Sequence, residues 1–178
     1  MPTSPSSKKV IGITIGDPGG IGPEVIIKSL QMPPLKRHLA RHARSNVFFV
    51  CIGDEAVLQR HIAMTKSPLR LNVITSIDAA SLKKNLLNVM NVGQGEAYEI
   101  GKVAVSNARL ALEAVRKGAR LAKDKKLDAL VTAPINKEAC QLLHPGFTGH
   151  TELLADIDGT RSFAMMLCGS SLRVILVT

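Results

Sequence analysis

Apolar and polar positions along this chain fall into blocks whose lengths switch between those of strands and those of helices. Lys9 to Ile15 (KVIGITI) is β-rich and runs into Gly16-Asp17-Pro18-Gly19-Gly20-Ile21-Gly22-Pro23-Glu24. That order predicts a strand, a glycine loop and a helix. Pro23 suits a first helical position, Glu24 the first turn, and Val25, Ile26, Ile27 and Leu30 an apolar face. Pro33 and Pro34 end this helix, and the basic stretch Lys36 to Arg44 follows, with His38 and His42 spaced as on one solvated helical face. Val47 to Ile52 (VFFVCI) is a continuous apolar run, expected as a buried strand; a helix capped by Asp54 then runs through Ile62. His61 falls in its last turn, where a cation would suit the helix dipole.

The pattern is less regular from Thr65 to Val92, where strands are expected at Leu71 to Ile74 and Leu86 to Val92. Gly93 and Gly95 then break the chain before a long helix, about Val103 to Lys123, in which Ala108, Leu112, Val115, Ala119 and Ala122 recur at helical spacing. Leu127 to Val131 reads as a further buried strand closed by Thr132 and Pro134. Near the end, Ser162 to Cys168 and Leu172 to Val177 are strand-like and joined by Gly169-Ser170-Ser171, which predicts a hairpin. Strands alternating with helices from Val10 to Val131 give an α/β layered domain, α/β/α, with a largely parallel sheet that the hairpin makes mixed.

Composition fits one large domain with a real core: 178 residues, 46% hydrophobic. The first nine residues, MPTSPSSKK, read as a disordered leader, leaving 10–178 as the α/β region; they lack the apolar stretch of a signal peptide. No run of eighteen apolar residues suggests a membrane span. Cys51, Cys140 and Cys168 are odd in number and show no paired spacing, so buried free thiols in a reducing cytoplasm are expected. A net charge of +9 raises nucleic acid as a partner, but the basic residues are dispersed and aromatics make up only 3%. A field that attracts small anions such as phosphorylated metabolites fits equally.

The richest concentration of donors and acceptors is Val131 to Glu152, VTAPINKEACQLLHPGFTGHTE. It offers a loop with Asn136, Lys137 and Glu138, one short helical turn, and a second loop with Gly146, Gly149, His150 and Thr151. Such loops suit a binding site at the carboxyl edge of a parallel sheet. The bland alternative makes Pro134 and Lys137 a strand exit and helix start, and His150 part of an ordinary helix N-terminus. The glycine loop likewise has two readings, an anion site or a tight strand-to-helix connection. Its spacing is neither the dinucleotide fingerprint nor a Walker loop. Asp17 is the one acidic group there placed to meet a ligand hydroxyl or a cation.

With GDPGGIGPE, LVTAPINKEA, TGHTELLA and AMMLCGSSLRVILVT in view, the chain resembles the 4-hydroxythreonine-4-phosphate dehydrogenase family of vitamin B6 biosynthesis. It is also similar to relatives that oxidise four-carbon sugar acids carrying a 4-phosphate, and Asn136-Lys137 occurs on both sides. The resemblance implies NAD-dependent oxidation of 4-phosphooxy-L-threonine, then loss of carbon dioxide to give 3-amino-2-oxopropyl phosphate. It implies a fold like that of isocitrate and isopropylmalate dehydrogenases, a homodimer, and a divalent metal (Zn, Mg or Co) that stabilises the developing alkoxide.

His150 and Thr151 match the family's substrate-contacting pair, while Asp17, Asn136 and Lys137 are candidate contacts by placement. The family's metal-binding histidines, and its Lys, Asn and Arg substrate contacts, would lie beyond Thr178. The chain is therefore expected to correspond to the N-terminal half of a two-domain dehydrogenase, truncated, and to be inactive alone. A non-catalytic anion-binding or assembly module is the alternative from another class, with nucleic-acid binding behind it.

Overall fold

A computed structural model describes residues 8–32, 47–95 and 97–176. Its strands and helices are β1 (Lys9–Thr14), α1 (Gly22–Ser29), β2 (Val47–Gly53), α2 (Glu55–Met64), β3 (Arg70–Val73), β4 (Leu86–Asn91), α3 (Val105–Lys123), β5 (Ala129–Thr132), α4 (Lys137–Leu143), α5 (His150–Asp158), β6 (Met166–Cys168) and β7 (Arg173–Ile175). The first five strands form one sheet in the order β3-β4-β2-β1-β5, with parallel pairing throughout. All five carboxyl ends therefore open on one edge. The order reverses at β1, since the chain leaves it for β2 on one side and reaches β5 on the other. Right-handed crossovers in opposite directions put their helices on opposite faces, which opens a crevice between β1 and β5.

The apolar runs form the core as the pattern predicts. Val50, Cys51 and Ile52 of β2 are fully buried, because this strand is central and covered on both faces. Val57 and Leu58 of α2 join them, and the Asp54 side chain caps that helix by accepting from Val57 N at 3.0 Å. The small residues of α3 bring it down onto the sheet: a Cβ on Gly118 would lie 2.8 Å from Leu130 Cδ1 and 3.2 Å from Thr14 Cγ2. A second apolar cluster of Ala108, Leu112, Ala139 and Cys140 fastens α4 to α3, with Phe147 and Leu153 packed against it.

Several expectations change. The strand expected at Leu127 to Val131 is Ala129–Thr132 and forms the edge of the sheet, so Val131 is 50% exposed instead of buried. The C-terminal hairpin forms, antiparallel, as a separate two-stranded sheet, so the five-stranded sheet itself is purely parallel. Cys168 lies on that hairpin and is exposed, unlike the buried Cys51 and Cys140. The reason is the same for its neighbours Phe163, Met166, Leu167, Leu172 and Ile175: no described element covers the hairpin. Lys9, placed with the leader by composition, pairs with Val47 in β1. The leader up to residue 7 and the basic stretch with His38 and His42 lie outside the described residues. Among the described residues no helix is long and apolar enough to cross a membrane.

Two positions hold the crevice together. Gly16 has φ +70° and touches the next loop so closely that a Cβ would lie 2.3 Å from the Pro134 carbonyl oxygen. Asn107, at the start of α3, is fully buried. It donates to the carbonyls of Glu99 (2.8 Å) and Lys102 (3.2 Å) and accepts from Glu99 N at 3.0 Å. Replacing Gly16 by Ala should cost roughly 2–4 kcal/mol in urea unfolding, from backbone strain plus the clash. Gly146→Ala, at φ +90° with open space around it, should cost only about 1 kcal/mol. Asn107→Ala strands buried peptide groups and should cost about 2–3 kcal/mol by the same measurement. Equal effects at Gly16 and Gly146 would contradict this account of the crevice.

Candidate functional site

The site grows from the loops after β1 and β5. Asp17 N donates to Pro134 O at 2.8 Å, which joins the two loops. The Asp17 carboxylate turns inward: it accepts from Gly19 N at 2.8 Å and bonds the Asn107 amide, and Asp17 is 9% exposed. Burial raises its pKa above the usual carboxylate value, and those two hydrogen bonds oppose the rise. The structure thus gives Asp17 a bracing position within the loop.

The glycine loop is equally committed. A Cβ on Gly19 would sit 2.2 Å from Glu99 O, and one on Gly22 2.3 Å from Ile15 O. Its glycines make room for the protein's own carbonyls, which is the tight-connection reading, so no dinucleotide contact is assigned to it. From beneath, the buried His61 approaches this loop, with Nε2 3.2 Å from Pro18 O. A carbonyl only accepts, so Nε2 carries the proton. Sequence reading missed this role for His61, along with that of Asn107. Neither has a local signal: the partner of His61 is distant in the chain, and those of Asn107 lie in the irregular segment before α3.

After β5 the second stretch is more helical than expected. Asn136 is the N-cap of α4, its Oδ1 accepting from Ala139 N at 3.0 Å, and Lys137 is the first helical residue. The Asn136 oxygen is therefore engaged in capping, the physical reason Asn favours such a position. Lys137 is exposed, and its side chain lies over Gly149: a Cβ there would be 3.8 Å from Nζ. The turn between the helices closes through Phe147 N to His144 O (3.1 Å) and brings Gly149 to the start of α5. Beside Asp17, the Cys140 thiol is pushed up to about 11, first by burial and then by the carboxylate charge, which leaves it an inert packing group.

His150 and Thr151 open α5. His150 is half-buried, and its Nε2 is buried with no hydrogen-bond partner among the described residues. Burial chiefly, and the Lys137 charge second, hold its pKa below the ordinary 6.5, so the imidazole is neutral at pH 7. Thr151 faces a cleft of about 740 Å³ that it shares with Glu152, Arg161, Phe163, Met165 and Ile175. His150 is not among the residues lining it. The structure therefore brings Lys137, His150 and Thr151 together and leaves Asp17 and the Asn136 oxygen bound to backbone. A second cavity, about 610 Å³, adjoins Leu30, Val47, Leu82, Lys83 and Leu86 at the amino ends of β2 and β4, the opposite edge from these loops. Among the described residues no three His, Cys, Asp or Glu side chains converge to hold a metal ion. These residues do not form a metal site by themselves.

Residues 45–178 match the family of the pyridoxal phosphate biosynthetic protein PdxA. The chain is 38% identical over 173 residues to a D-threonate 4-phosphate dehydrogenase of Cupriavidus necator, covering 95% of this chain and 49% of that protein. It is 36% identical over 173 residues to a D-threonate 4-phosphate dehydrogenase of Salmonella typhimurium, covering 96% of this chain and 50% of that protein. Among solved structures, a 4-hydroxythreonine-4-phosphate dehydrogenase from Burkholderia phymatum superimposes with a TM-score of 0.83 at 30% identity, over 97% of this chain and 50% of that one. The chain spans about half the length of the curated relatives it matches. By the family match, which extends over most of its length, this chain belongs to the PdxA family.

Proposed function

We propose that this chain supplies substrate-binding loops of an NAD-dependent dehydrogenase that oxidises the secondary alcohol of a four-carbon acid bearing a 4-phosphate. The observation that carries this reading is the start of α5, where Thr151 lines a cleft and its chain neighbour His150, outside that lining, is neutral with an unpartnered Nε2. A neutral imidazole can take up the hydroxyl proton or hold the hydroxyl in place. The Thr151 hydroxyl both donates and accepts, and Lys137 supplies charge opposite an anionic substrate group. A nicotinamide cofactor, when bound, would supply the hydride acceptor. The β-keto acid so formed loses its carboxyl group as carbon dioxide.

Two substrates are in view. The family's name and the Burkholderia phymatum structure favour 4-hydroxythreonine 4-phosphate, whose product is 3-amino-2-oxopropyl phosphate. The curated relatives at 38% and 36% identity favour D-threonate 4-phosphate, which carries a hydroxyl in place of the amine. The exposed apolar hairpin supports association with further polypeptide in the working enzyme, a homodimer on this reading.

The test is a titration of both compounds, read by calorimetry for binding and by absorbance for NADH. It uses the chain alone and mixed with the separately expressed second half of the Cupriavidus necator relative. NADH formation on mixing is expected, and the better substrate decides between the two. Binding without NADH favours the non-catalytic anion-binding alternative, and neither binding nor NADH with either compound overturns the proposal. Thr151→Val and His150→Asn should each lower turnover by about 10²-fold.

NMR titration should find the His150 pKa below 6.5, and Lys137→Met should raise it only part of the way, since burial is the larger cause. Because the folded-state pKa is depressed, the linked stability is present above pH 6.5 and is lost as pH falls through the folded value. A His150 pKa above 7 would leave the imidazole mostly charged at neutral pH and remove the neutral base from this mechanism.

A further inference from the structure

The cleft beside Thr151 has a cationic lining group, Arg161, to which the proposed mechanism gives no role. Arg161 lines it together with Thr151 and Glu152. Thr151 opens α5, whereas Arg161 follows the left-handed Gly159 that ends it, with Thr160 N bonded back to Ala155 O at 3.0 Å. Both side chains line the same cleft, so a short ligand with two oxyanion groups can meet Arg161 with one and Thr151 with the other.

The guanidinium is free to act. Among the described residues Arg161 makes no ion pair or hydrogen bond, although the acidic Glu152 lines the same cleft. The Glu152 carboxylate lies instead toward Gly149, where Oε2 would be 3.3 Å from a Cβ and Lys137 Nζ is also near. At the other end, the Gly149 N-cap offers no side chain to the first N–H groups of α5. The Arg161 charge and the Thr151 hydroxyl thus line one cleft together with apolar Phe163, Met165 and Ile175. An apolar wall strengthens a charged hydrogen bond by excluding water.

We infer that Arg161 is a specificity-determining residue of this cleft, pairing with one of the two oxyanion groups of a four-carbon acid 4-phosphate while the Thr151 end receives the other. Arginine suits the task because its planar fork matches carboxylate and phosphate oxygens two at a time. The inference rests on the proposed function, since it takes the cleft as the substrate site.

Calorimetry on the complemented protein tests it. The ligands are D-threonate 4-phosphate and 4-hydroxythreonine 4-phosphate, D-threonate lacking the phosphate, and threitol 4-phosphate lacking the carboxylate. Arg161→Gln should weaken binding of the acid phosphates by roughly tenfold or more, with Arg161→Lys partly restoring it. The thermal midpoint should stay unchanged, because Arg161 is exposed and unpaired. A loss retained with D-threonate identifies the carboxylate as the partner of Arg161, and a loss retained with threitol 4-phosphate identifies the phosphate. If the unsubstituted protein binds an acid phosphate and Arg161→Gln binds it equally well, the inference is wrong and the proposed function stands. If the unsubstituted protein binds neither acid phosphate, both fail together.

Discussion

The contact between two backbones, Gly16 against Ala133 and Pro134, is what the rest of the site depends on. β1 and β5 are parallel neighbours, paired from Ile11 with Ala129 to Thr14 with Thr132. Their carboxyl ends must diverge at the point where the strand order reverses. Here they stay in touch for one more residue, because Gly16 carries no Cβ and Asp17 N bonds Pro134 O at 2.8 Å. The glycine loop and the loop leading to α4 thereby become one surface. Asn107 then ties that surface to the segment before α3 by binding the peptide of Glu99 on both sides. The motif richest in glycine is thus a joint between the two loops.

Packing of α3 carries this joint outward. Its Gly118 and neighbouring alanines let the helix lie close on β1, β2 and β5, and its Ala108 and Leu112 hold Ala139 and Cys140 of α4. Lys123, at its end, donates to the carbonyls of Ile157 and Asp158 at 2.9 and 3.0 Å, satisfying the open end of α5. One long helix therefore fixes both ends of the segment that bears His150 and Thr151. Electrostatics follows from this placement: Lys137 is held near His150 and, with burial, keeps the imidazole uncharged. The imidazole is therefore in its neutral, proton-accepting form at pH 7.

The sequence by itself determined the element order, since apolar periodicity and Gly/Pro punctuation are local signals. VFFVCI reads directly as the buried β2, Asp54 as a cap, and the alanine spacing from Ala108 to Ala122 as α3. The family was legible too, because its motifs are contiguous. Only the tertiary structure decided which polar groups are free. Asp17 and Asn136 read as ligand contacts in the sequence, but their oxygens are taken by Gly19 N and Ala139 N. His61 carried no motif and reaches the glycine loop at Pro18 from a distant position, while Asn107, also without a motif, holds the peptide of Glu99. Exposure of Val131 and of the hairpin was likewise not local, for an apolar strand is written the same way whether or not another layer covers it. The partners of Asp17 and Asn136 are only two and three residues away, but whether an oxygen turns to its own backbone or outward is settled by how the loop folds. A covering surface comes from residues far along the chain.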